Sequence, residues 1–132
     1  MERGRRSSAP EAETERNRVV VDFIASGRWL LVRRHQLWSP PTDVYETDKC
    51  VVVKVEIAGM RREDFHVVLS GHTLTISGTR RDPAAKLGYH QMEIRYGEFA
   101  SQVHIPGSIV QERIEASYEN GFLSVILPRA HG

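Results

Sequence analysis

The side chains able to do chemistry are present in this chain but scattered. Histidines stand at positions 35, 66, 72, 90, 104 and 131. They lack the spacing that lets several donors converge on one metal ion, and His66, His72 and His104 fall on outward or turn positions of predicted strands, so no metal site is expected. Cys50 has only Lys49 beside it as a base and reads as an ordinary thiol rather than a nucleophile. Asp43, Asp48 and Asp64 suit turns and strand ends better than a paired acid and base. The chain contains no Gly-x-Gly-x-x-Gly, no Walker loop, no Gly-x-Ser-x-Gly and no His-Glu-x-x-His. An enzyme is therefore not expected, and neither is a cofactor.

Composition narrows the partners. The 132 residues carry 18 basic and 17 acidic side chains, a formal net charge of +1. That balance argues against nucleic acid as principal partner, because phosphate binding needs a basic surplus on one face. A single cysteine excludes an intramolecular disulfide framework and fits a reducing, cytoplasmic setting. No basic-apolar-small pattern of a signal peptide opens the sequence. The apolar stretch from Val19 to Trp38 is interrupted by Asp22, Arg28, Arg33, Arg34 and His35, too often to span a bilayer.

Three regions follow. Residues 1–18 hold almost no large apolar side chains, so they cannot offset their ordering entropy and are expected to be disordered. Residues 19–38 hold two apolar patches around Ser26-Gly27: Val19, Val20, Val21, Phe23 and Ile24, then Trp29, Leu30, Leu31, Val32, Leu37 and Trp38. Val20, Phe23 and Ile24 fit one helical face; Trp29, Leu30 and Leu37 do so less neatly. The segment reads as an arm for self-association or for binding other proteins, ahead of a helix or strand docked on the core, and ahead of a membrane-surface helix. Trp38-Ser39-Pro40-Pro41 stops regular structure, which places a domain boundary after residue 38.

From Thr42 the apolar period is two. Val51, Val53, Val55 and Ile57 fall on one face; Cys50, Val52, Lys54 and Glu56 take the other. Arg62-Glu63-Asp64 suits a brief helical turn. Phe65, Val67 and Leu69, then Leu74 and Ile76, then Phe99, Val103 and Ile105 continue the alternation. Ile114, Ala116 and Tyr118 lead to Asn120-Gly121, the chain's strongest hairpin signal, and Leu123, Val125 and Leu127 return. Several short strands at this spacing predict an all-β sandwich or barrel. Thr79 to Tyr96 is a polar excursion holding one short possible strand, Leu87-Gly88-Tyr89-His90. A loop of that length needs a reason.

Here the residues resemble a known family. Pro41-Thr42-Asp43-Val44-Tyr45-Glu46-Thr47 looks like the start of an α-crystallin domain of the bacterial and plant type. Val55 to Phe65 resembles its strand followed by Pro-Gly and Lys-Lys-Glu-Asp, with Ala58-Gly59 in place of Pro-Gly. Leu74-Thr75-Ile76-Ser77-Gly78-Thr79-Arg80 resembles Leu-x-Ile-x-Gly-x-Arg, and Gly97-Glu98-Phe99 through Ile105-Pro106 resembles Gly-x-Phe … Leu-Pro. Ala116-Ser117-Tyr118-Glu119-Asn120-Gly121-Phe122-Leu123 matches Ala-x-x-x-x-Gly-x-Leu. Five such pieces in order cover nearly all of residues 41–129.

The resemblance to small heat-shock proteins implies an immunoglobulin-like β-sandwich with a flexible N-terminal arm. It divides the chain into an arm (1–38), an α-crystallin domain (39–129) and a short C-terminal remnant (130–132). It implies a homodimer, extending to higher homo-oligomers, in which Leu87, Gly88, Tyr89 and His90 pair with a partner's sheet. It also implies a groove, with Val67, Leu69, Ile114 and Ala116 as lining candidates that read equally well as core. Two departures bear on assembly. Ser101 stands where the family usually has arginine, and only Ala130-His131-Gly132 follow Pro128-Arg129, without the usual Ile-x-Ile/Val tail. The function implied is an ATP-independent holdase for unfolding client proteins. The rival reading is a β-sandwich docking module that binds one folded partner, as co-chaperone domains do. Neither calls for nucleic acid or membrane contact.

Overall fold

The computed structural model describes residues 16–24 and 37–130, and within them the alternating sequence folds into two facing sheets. The first sheet orders β1 (Arg18–Val19), β8 (Glu115–Glu119), β9 (Phe122–Pro128), β4 (Cys50–Glu56) and β3 (Thr42–Glu46). The second orders β2 (Val21–Phe23), β5 (His66–Ser70), β6 (Thr73–Arg80) and β7 (Gly97–His104). Every neighbouring pair is antiparallel except β2 and β5, which run parallel. This is the immunoglobulin-like, all-β sandwich expected.

The inner faces are those the period of two selects. Val51, Val53, Val55, Leu123, Val125 and Leu127 of the first sheet are fully buried, and Val67, Leu74, Ile76 and Phe99 of the second are too. Phe99 packs on Trp38 and Phe65 with ring centroids 5.7 and 6.2 Å apart. Val52 and Val68 take outward positions, yet both are buried. Val52 lies between Tyr45 and Ile126, and Val68 between Asp22 and Thr75, so cross-strand neighbours on the same face cover them.

Turn chemistry sets the register. Asn120 and Gly121 have φ of 55° and 83°, the two positive values a two-residue type I′ hairpin needs between β8 and β9. The 3-10 turn over Arg62–Asp64 falls where Arg62-Glu63-Asp64 suggested it. Gly78 is a different case. A Cβ there would lie 2.8 Å from the Asp64 carbonyl oxygen and 2.9 Å from Phe99 Cζ, so only glycine lets β6 approach that turn.

The N-terminal segment departs from expectation. Residues 18–23 are extended rather than helical and add one short strand to each sheet. Val20, Phe23 and Ile24 therefore share no helical face. Trp38, expected to mark a break, is buried against β7: its N–H donates to the Glu98 carbonyl, and its own carbonyl accepts from Ala100 N–H. The chain then crosses at Pro40-Pro41 into β3. The sandwich thus includes residues N-terminal to position 39. Trp29, Leu30, Leu31 and Val32 lie outside the described residues.

Candidate functional site

Two open sides of the sandwich carry the candidate residues. On one, the edges of β8 and β5 face each other and the segment Arg18–Phe23 closes the gap between them. Val19 sits opposite Ala116 on β8, while Val21 and Phe23 sit opposite Val67 and Leu69 on β5. Ile24 N–H extends the pairing to the Leu69 carbonyl at 3.0 Å. Alternation along an extended chain explains the side chains. Val19 is buried in the core, Val21 packs against it, and Val20 projects outward at 73% exposure. The structure therefore brings Val67, Leu69 and Ala116 together with the chain's own N-terminal valines, and places Ile114 half-buried beside the core. The candidate groove is a seam already filled.

On the other side, β3 is the edge of the first sheet and β7 the edge of the second. Thr42 Oγ1 and Ser101 Oγ meet at 2.7 Å across that gap, and Thr42 also donates to the Pro40 carbonyl. A hydroxyl pair thus stands where arginine was expected from the resemblance. Val44 and Tyr45 on β3 are exposed, and no strand among the described residues pairs with the outer edge of β3.

The loop of residues 81–96 contains no strand in the single chain, so Leu87–His90 is unpaired there. Its base is clamped. Arg80 donates from Nε and Nη2 to the Arg95 carbonyl and from Nη1 to the Ala58 carbonyl. The Arg80 guanidinium lies 4.8 Å from the Trp38 ring, and Arg95 lies 5.6 Å from the same ring. Within the loop, Asp82 accepts from Lys86 Nζ, Ala84 N–H and Tyr89 O–H. The hydrogen bond from Lys86 is the largest cause holding the Asp82 carboxyl below its usual range, and the same bond raises the Lys86 ammonium. Leu87 is fully exposed, and Tyr89, Met92 and Ile94 are at least half exposed. Met92 and Ile94 were not singled out in the sequence, although their i, i+2 spacing in a polar run was the available signal.

The remaining reactive side chains stay dispersed. His72 and His104 lie 5.8 Å apart, and His72 Nδ1 contacts the Ile105 carbonyl. Asp64 pairs with Arg61. Among the described residues no three histidine, cysteine or acidic side chains converge on one point, and no helix is long and apolar enough to cross a membrane.

With this geometry in view, comparison with known proteins is specific. A family model described as Hsp20/alpha crystallin family matches residues 43–132. Small heat shock protein C2 of Rickettsia felis is 33% identical over 92 residues, covering 68% of this chain and 60% of that protein. Heat shock protein 16 of Schizosaccharomyces pombe is 38% identical over 95 residues, covering 69% of this chain and 66% of that one. The solved structure of heat shock protein 16.0 from the same yeast matches with a TM-score of 0.69 at 34% identity, over 81% of this chain and 77% of that one. A small heat-shock protein from Xylella fastidiosa, solved in a distinct high order structure, matches with a TM-score of 0.64 at 28% identity, over 72% of this chain and 90% of that one.

Fold and matches together define the class, an α-crystallin β-sandwich of the small heat-shock kind. The chain belongs to the Hsp20/alpha crystallin family, and that membership supports a chaperone role. The match spans less than two thirds of the R. felis and S. pombe curated relatives, 60% and 66% of their lengths.

Proposed function

We propose that this protein is an ATP-independent holdase, not an enzyme, which covers the apolar surface of unfolding proteins and slows their aggregation. The observation that carries this is the apolar surface left open to solvent away from Leu87–His90 and β3, at Met92 and Ile94 on the loop and at Val20 and Phe23 on the N-terminal segment. Unfolding proteins expose apolar surface, and reversible burial against such side chains is favourable without nucleotide. The other apolar side chains of residues 19–38 that the sequence analysis singles out are candidates for the same role.

The building block is a homodimer, and higher homo-oligomers follow from it. Leu87–His90 of one copy adds as a strand to the outer edge of β3 in the other. An extended segment and an edge strand complete each other's main-chain hydrogen bonds, and alternate side chains find pockets. Fellow members assemble: the Xylella protein was solved in a distinct high order structure.

The test is suppression of heat-induced aggregation of a labile globular enzyme, followed by light scattering in the absence of ATP. The scattering should fall as this protein approaches one subunit per client. Undiminished aggregation at stoichiometric excess would sink the holdase reading.

A further inference from the structure

Two histidines that lie far apart in sequence meet at one end of the second sheet. β6 and β7 pair so that Thr73 stands opposite His104, and His72 lies one residue further on, in the turn that joins β5 to β6. Both residues are exposed, and their rings lie 5.8 Å apart by centroid and 36° from parallel. His72 is held by one neighbour on two sides. Its carbonyl accepts from Ile105 N–H at 2.7 Å, and its ring Nδ1 lies 3.2 Å from the Ile105 carbonyl oxygen. A carbonyl oxygen only accepts, so this contact places the proton of the neutral ring on Nδ1 and leaves the lone pair on Nε2. That is the arrangement of a metal-binding histidine, whose other ring nitrogen donates to a carbonyl that fixes the tautomer and the ring orientation. Ile105 is buried in the core, so the group that aims His72 is itself fixed.

We propose that His72 and His104 together form a surface site for a divalent metal ion of the zinc, copper and nickel kind. Two imidazoles on one tetrahedral zinc ion, each bonded at about 2.0–2.1 Å, put their ring centroids roughly 5 Å apart. The separation of 5.8 Å exceeds that by under about 1 Å, and the broad ring torsions of two exposed histidines close such a difference. Neutral nitrogen donors select these ions over magnesium and calcium, which take oxygen. Among the described residues no third histidine, cysteine or carboxylate joins the pair, so water fills the remaining coordination positions. The ion is therefore exchangeable, unlike one enclosed by four protein ligands, and its open positions can accept a donor from another molecule. Sequence spacing hides the pair, because only the register of β6 on β7 brings the two rings together. Neither histidine belongs to the loop, to the seam or to β3, so the site stands or falls separately from the holdase reading.

The test titrates the full-length chain, without a histidine tag, with Zn²⁺ alone in competition with a chromophoric zinc indicator. His72→Gln and His104→Gln should each weaken the tightest site by about tenfold or more, since losing even a group that orients a ligand costs 10- to 100-fold. The double variant should bind little worse than either single one, because the two rings hold the ion as a unit. His66→Gln and His90→Gln should leave the site unchanged. Thermal midpoints measured without metal should match the parent for every variant, which separates lost binding from lost folding. Cu²⁺ supplies a second readout: its electron paramagnetic resonance spectrum should show two coordinated ring nitrogens in the parent and one in each single variant. Equal zinc affinity in the parent and the double variant would overturn the proposal. So would losses in the two single variants that simply add, or a loss that follows His66 or His90 instead.

Discussion

Leu87→Ser should separate assembly from folding. Leu87 is fully exposed and sits on a loop whose ordered contacts are polar, so the substitution removes nothing that holds the single domain together. In the proposed dimer, however, Leu87 is buried against the partner. Full burial of a leucine side chain is worth about 1.5–3 kcal/mol. A two-fold dimer buries it twice, so the variant loses about 3–6 kcal/mol of association, roughly two to four powers of ten in Kd. Sedimentation velocity across a dilution series would read that shift. The urea midpoint of the monomeric fraction should stay within about 0.5 kcal/mol of the parent, as is usual for surface substitutions. A dimer of unchanged Kd would refute the reasoning, because it would leave the most exposed apolar side chain of the loop without a role in pairing.

Other outcomes follow from named contacts. Gly78→Ala forces a methyl against the Asp64 carbonyl and the Phe99 ring, and should cost about 1–3 kcal/mol, lowering the thermal midpoint by roughly 4–8 °C per kcal/mol; an unchanged midpoint by calorimetry would contradict the close approach. The loop network depends on pH in a defined sense. Asp82 has a lowered pKa in the ordered loop, so its contribution is complete above the ordinary carboxylate value and is lost as pH falls through the lowered one. Lys86 is raised, so its contribution is lost only as pH climbs through the raised value. The Ala84 amide resonance, whose N–H donates to Asp82, should be flat through neutrality and move in acid, and Asp82→Asn should abolish that movement. Tyr118→Phe deletes the hydroxyl that donates to the Ile57 carbonyl and accepts from Met60 N–H, and should cost about 0.5–1.5 kcal/mol in chemical denaturation with little effect on dimer Kd.

The sandwich was legible because burial repeats at every second residue. Val51 to Ile57 and Leu123 to Leu127 could face inward in only one register, and Asn120-Gly121 fixed the hairpin that joins β8 to β9. The N-terminal strands were not legible for an equally physical reason. Arg18–Val19 and Val21–Phe23 are too short to show a period, and Val20, Phe23 and Ile24 fit a helical face as well as a strand. Their conformation is set by two sheet edges lying far along the chain. Val67, Leu69 and Ala116 were found as residues, but not what covers them. The loop was read from its polarity and length, whereas its clamp joins Arg80 to Trp38 and Arg95, which no local pattern links.

The order of synthesis gives the pairing of Val19 with Ala116 a further consequence. The valine leaves the ribosome early, while the strand that receives it is among the last to be made. Until then a nascent chain carries a β-prone apolar stretch with nowhere to go, which is the situation in which chains stick to one another. Closing so distant a contact is slow compared with forming the hairpins between them. Val19 is therefore made well before the strand that receives it and is among the last residues to dock.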